Sequence, residues 1–170
     1  MKTIKSNRVR QAVQIVLAAG LTSGFAQAAS FISFSTLQGE STDKDHKGWS
    51  DVINFSQAVS KSACPSFTVF KTVDTISPAM AEAGANGGKF DTAAISTTAS
   101  YTDAGRVEYF RADMQNVVVQ GVKQFGGGEE PVSEEILLTP SIVTITYRQT
   151  DFSGKSKGNV VTSYSCKGKP

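Results

Sequence analysis

Few residues in this chain could make or break bonds. Among 170 residues there is one histidine, His46. Any Ser-His-acid or Cys-His arrangement would have to use it. It sits in a charged run, Glu40-Ser41-Thr42-Asp43-Lys44-Asp45-His46-Lys47-Gly48, with nothing beside it that marks a nucleophile. A solvated loop histidine is therefore expected, and no enzyme. Asp43 to Gly48 begins like an EF-type calcium loop. Lys47 then occupies the fifth ligand position and Asn54 the twelfth, where a glutamate is needed, so a turn of solvated charges is favoured over a weak cation site. Phe125-Gly126-Gly127-Gly128-Glu129-Glu130 is glycine-rich but lacks the Lys-Ser/Thr of a phosphate loop, and its acids would repel phosphate. Glu129, Glu130, Glu134 and Glu135 read as a solvated negative patch. Asn54-Phe55-Ser56 fits a glycosylation acceptor, but in mid-strand. No catalytic residue, cofactor or metal ligand set is expected.

Two cysteines remain, Cys64 and Cys166, and their chemistry depends on compartment. The first residues bear on that. Lys2, Lys5, Arg8 and Arg10 precede an apolar stretch, Ala12 to Phe25, and then Ala26-Gln27-Ala28. This is the pattern of a secretory signal peptide cut after Ala28. The apolar stretch is too short, and too broken by Gly20, Thr22 and Ser23, to span a membrane. Removing residues 1–28 leaves 142 residues, with 13 basic against 15 acidic side chains in place of 17 against 15. The exported domain, 29–170, thus carries about −2. That charge gives no reason to expect nucleic acid, and no membrane insertion of the mature chain is expected. Export to a periplasmic or extracellular compartment favours a Cys64–Cys166 disulfide over two buried thiols.

What must position these residues is a series of strands. No long window holds a 3.6-residue apolar period; alternation between turn signals recurs instead. Strands are expected at 31–37, 51–60, 66–72, 90–101, 106–113, 116–123, 135–138, 142–149 and 160–166. One helix of about two turns interrupts them. Ser77 would cap it, Pro78 would take its first position, and Gly84 or Gly87-Gly88 would end it. The fold class is mainly β: a compact antiparallel two-sheet barrel with one short helix. Trp49, beside the charged loop, reads as partly buried core with an interface role open to it.

Four collinear segments carry a family resemblance. Gly39-Glu40-Ser41 with Asp45-His46-Lys47-Gly48 and Asp51-Val52-Ile53 is the first. Phe70-Lys71, Asp74 and Ser77-Pro78, spaced as F-x-K-x-x-D-x-x-S-P, form the second. The third is Val107 to Phe110, Val117 to Val122 and Gly127-Gly128-Glu129. Glu134-Glu135-Ile136 and Leu138 with Ile142 to Tyr147 complete the set. Together they resemble the haemolysin-coregulated protein (Hcp) family, the tube protein of type VI secretion systems.

The resemblance implies a structural subunit that closes into a homo-hexameric ring, with rings that stack and carry secreted effector cargo. It brings no catalytic residues. It implies that small polar strand residues, Ser96, Thr97, Thr98 and Ser100, line a wet lumen or interface. Two features depart from the family pattern: the leader and the cysteine pair. They keep a second reading open, a stand-alone exported binding module on the same barrel.

Overall fold

The computed structural model describes residues 28–101 and 103–166. The expected leader lies outside them except for Ala28. In chain order the elements are β1 (Ala29–Phe34), β2 (Ser50–Val52), β3 (Asn54–Ala58), β4 (Ser66–Thr72), α1 (Ser77–Asn86), β5 (Lys89–Tyr101), β6 (Gly105–Gly127), β7 (Glu130–Thr150) and β8 (Ser156–Ser165).

All strand pairings are antiparallel. The order is β2-β1-β5-β6-β7-β4-β3, and β8 lies on β7 beside that path. The two ends of this path, β2 and β3, are separated in sequence only by Ile53. One short stretch of chain thus pairs with β1 on one side and with β4 on the other. Ile53 N–H reaches Phe70 O at 2.8 Å. The sheet therefore curls until its ends meet, which is how a barrel removes its edges.

Four strands expected at 106–113, 116–123, 135–138 and 142–149 are two long ones. β6 and β7 form one continuous ladder, from Phe110 opposite Tyr147 to Gly127 opposite Glu130. The reason lies in the phase of alternation. On β6 the inward residues are Ala112 and Met114, then Val117 and Val119. On β7 they are Glu134, Ile136 and Leu138, then Val143. Both strands exchange inner and outer faces at the same level, where Asn116 adopts φ 49° and Pro140-Ser141 lies across from it. A strand that changes face without breaking its ladder turns a corner from one wall of the barrel to the other. In sequence, that phase change is read as a turn.

The core is continuous and largely apolar. Ile32, Phe67, Val69, Ile95, Met114, Ile136 and Leu138 are fully buried within it, and Met80 of α1 joins them. The helix is longer than expected because Gly84 does not stop it. Gly84 is a contact: a Cβ there would lie 3.1 Å from the Val122 backbone nitrogen of β6. The left-handed Gly87, φ 66°, ends the helix. Ser77 does not cap the helix with its side chain, which points to β7 instead.

Candidate functional site

Among the described residues, two buried polar networks and one open strand edge are the features that could serve a function. The first network centres on His46, which is buried and not solvated. Phe31 explains this. β1 turns Ile32 and Phe34 into the core, while Phe31 faces outward. The 38–49 segment folds back over that face, held by Gly39 N–H on Gly48 O at 2.7 Å and Ser41 N–H on Trp49 O at 2.8 Å. His46 then stacks on Phe31, with ring centroids 4.2 Å apart and planes 6° from parallel, and meets the Trp49 ring edge-on.

The His46 ring is bonded at both nitrogens: Nδ1 to Asp43 Oδ1 and Nε2 to Ser96 Oγ, each at 2.8 Å. The connectivity is that of a Ser-His-Asp triad, but the chemistry is not. A nucleophilic serine donates its proton to the histidine. The Ser96 hydroxyl donates to Glu108 and is wholly buried. The network therefore fastens the loop, through β5, to β6.

This overturns the lumen expectation for Ser96, Thr97 and Thr98. From Ala93 to Ala99 both faces of β5 are covered. Ser96 meets His46 and Glu108, Thr97 bonds Ser30 Oγ at 3.0 Å, and Thr98 bonds Ala29 O at 3.3 Å. Small side chains stand there because a strand sandwiched on both faces has little room. Ser100 is half-buried, opposite Arg106. Trp49 is also half-buried, with the Arg111 guanidinium 5.5 Å from its ring centre.

A shallow cavity of about 330 Å³ opens beside Trp49, lined in part by Arg106, Arg111, Arg148 and Glu108. Its arginines are largely neutralised: Arg106 pairs with Asp43, and Arg111 with Asp113 at 2.9 Å and Glu108 at 3.4 Å.

Asp43 shows what the network contributes. Partial burial raises its pKa, but the His46 ring, the Asp45 backbone N–H and the Arg106 guanidinium outweigh that and hold it below the usual 3.8. A depressed folded pKa adds stability above the unfolded value, and that stability is lost as pH falls through the folded value. Asp43→Asn should therefore flatten the acid side of the stability curve below about pH 4. Urea denaturation at pH 5 and pH 2.5 tests this: an unchanged difference between the two would mean that Asp43 contributes nothing there.

The second network was not legible as such in the sequence. β4 alternates, placing Phe67, Val69 and Lys71 on the inner face. Lys71 is thereby carried into the core. Directly opposite in the ladder stands Glu134 of β7. Both side chains are fully buried, and Lys71 Nζ donates to Glu134 Oε1 at 2.9 Å. Nζ also donates to Asp74 Oδ1 at 2.7 Å and Thr72 O at 2.8 Å, while the Ser77 hydroxyl donates to Glu134 at 2.7 Å. Glu134 thus belongs to the core, not to a solvated acidic patch. The signal was the spacing Lys71-x-x-Asp74-x-x-Ser77-Pro78, which brings β4, the start of α1 and β7 to one point.

The open edge is β8. Nine of its ten residues are exposed, including Val160 at 65% and Val161 at 57%. Successive residues of a strand face opposite ways, so neither face of β8 is covered. Tyr147, opposite Val160 on β7, is also exposed. Cys166, one residue beyond β8, is joined to Cys64 by a disulfide, with Cα atoms 4.5 Å apart.

Residues 31–153 match a family model described as type VI secretion system effector, Hcp. No curated protein matches. Solved structures share the fold. The crystal structure of Hcp1 from Salmonella typhimurium aligns with a TM-score of 0.71 and 20% identity over 81% of this chain and 94% of that one. A structure described as a type six secretion system protein gives 0.72 and 22% over 82% and 96%. Secreted protein Hcp3 from Pseudomonas aeruginosa gives 0.64 and 14% over 84% and 99%.

Proposed function

Because the chain belongs to the Hcp family of type VI secretion proteins, a family of structural tube proteins and not of enzymes, we propose that it closes into a hexameric ring with copies of itself. The observation that carries this reading is the family match over residues 31–153, on a barrel whose outlying strand exposes Val160 and Val161. The two polar networks are consistent with that role. Their side chains hold barrel walls together and leave no group free to react.

In the ring, β8 with Val160 and Val161 would meet the neighbouring copy. Its free backbone edge and its two uncovered faces are what a head-to-tail contact would satisfy. Rings would stack, and cargo would sit within them. Residues 1–28 would send the chain through the general secretory route to the periplasm or beyond. Among the described residues, no helix is long and apolar enough to cross a membrane.

Size-exclusion chromatography with light scattering, on protein purified from a periplasm without reductant, tests the ring. A species of six times the chain mass is expected. A monomer at every concentration would overturn the ring and favour the stand-alone exported module, a reading that the disulfide also suits.

A further inference from the structure

We propose that the Cys64–Cys166 bond is a redox clasp on β8, so that the state of two sulfur atoms decides whether this chain can assemble. The inference rests on the ring reading, since β8 carries the surface proposed for it.

β8 has little else to hold it. It pairs with β7 along one edge only, from Ile142 opposite Ser165 to Thr150 opposite Ser156. Backbone hydrogen bonds in water give a small net return, and a strand with no buried face adds almost no hydrophobic gain. Only Tyr164 of this strand is half-buried; it packs on the core and bonds Gln57. The first residue of β8 follows the 151–155 turn out of β7. Beyond its last residue, one backbone bond, Cys166 N–H to Ser141 O at 2.8 Å, and the disulfide fix the end.

The other half of the bond lies on firmer ground. Cys64 sits in the link between β3 and β4, two residues before the first residue of a strand with a fully buried face. The bond therefore ties the least buried strand to the barrel wall. The family match ends at residue 153, before β8 and Cys166, so the clasp and the strand it holds both lie beyond the matched stretch.

The chemistry is thiol–disulfide exchange. A small dithiol gives two electrons and two protons. The Cys64–Cys166 bond opens to two thiols and the dithiol closes into its own disulfide. Formation runs the other way, with a disulfide-bearing oxidant of an oxidising compartment accepting the two electrons. With the bond open, the far end of β8 keeps Tyr164, one exposed side-chain hydrogen bond between Ser163 and Thr144, and its backbone contacts, and the strand leaves β7. The outward valines are then no longer presented in one geometry. Assembly is thereby confined to the compartment in which the bond forms.

The test is amide hydrogen exchange by mass spectrometry together with light scattering, on the full chain as exported, before and after dithiothreitol is added to the folded protein. Peptides of β8 are expected to exchange at least about tenfold faster after reduction, with β5 peptides unchanged, and association to fall in parallel. Cys166→Ser should reproduce the reduced state. Reducing protein that has already folded keeps the test valid if that variant does not fold. Equal β8 exchange in both states would overturn the clasp. Fast β8 exchange with association intact would overturn its control of assembly. If the oxidised chain never associates, the ring reading fails, and β8 exchange still decides the clasp.

Discussion

Replacing Lys71 by methionine should destabilise the protein by about 3–5 kcal/mol, because it leaves a buried carboxylate without its cation. Glu134 has no exposed surface, and after the change only the Ser77 hydroxyl and the Gln124 amide would still donate to it. The converse change, Glu134→Leu, strands a buried ammonium with Asp74 as its one remaining acid and should cost a comparable amount. The double variant Lys71→Met/Glu134→Leu should cost less than the sum of the two. A matched apolar pair removes both desolvation penalties at once, and the two residues are direct partners in the ladder. Urea denaturation of the four proteins gives the coupling. Additive losses would mean that the two charges do not depend on each other. Selective loss of cooperativity in the Lys71→Met transition would point to the β4, α1 and β7 junction as the part that opens first.

Breaking the disulfide should have the next largest effect. The bond closes a loop across 102 residues of separation. In the chain-entropy model such a cross-link is worth about 4–5 kcal/mol, with native-state changes bringing measured values to roughly 2–5. For a domain of this size that corresponds to a fall in Tm of roughly 10 °C or more. Calorimetry of the oxidised protein against Cys64→Ser/Cys166→Ser checks it. A difference of only a degree or two would mean that the unfolded chain is not constrained by the bond, or that the folded one is strained by it. The stability loss and the opening of β8 are separate quantities. The first arises mainly in the unfolded ensemble. The second is a local opening of the folded state, read by exchange at β8 alone.

The places where sequence reading went astray share a cause. His46 sits among Asp43, Asp45 and Lys47, a composition that looks solvated. It is buried because Phe31, fifteen residues earlier, presents an aromatic face on the outside of β1. Glu134 stands among three other glutamates and looks like part of a surface patch. It is buried because strand register places it opposite Lys71. Ser96 and Thr98 look like the lining of a wet channel; their size reflects a strand covered on both sides. In each case the deciding partner is far away in sequence. Local composition reports the neighbours along the chain, and burial is set by neighbours across the sheet.

The amino-acid order alone determined what is encoded locally or by spacing. Period-two alternation with turn residues made the fold a β-barrel. Pro78 and the glycines near residue 87 placed the one helix found among the described residues. Four motifs in order placed the chain among the Hcp proteins, and two cysteines left a single intramolecular pairing. Only the tertiary structure decided that four expected strands are two, bent together at Asn116 and Ser141. It alone decided that a lysine and a glutamate share the core, and that the last strand stands uncovered with a covalent bond just past its end. The physical reason is that alternation fixes which residues share a face. Which face is buried, and what meets it there, depends on how the walls of the barrel close.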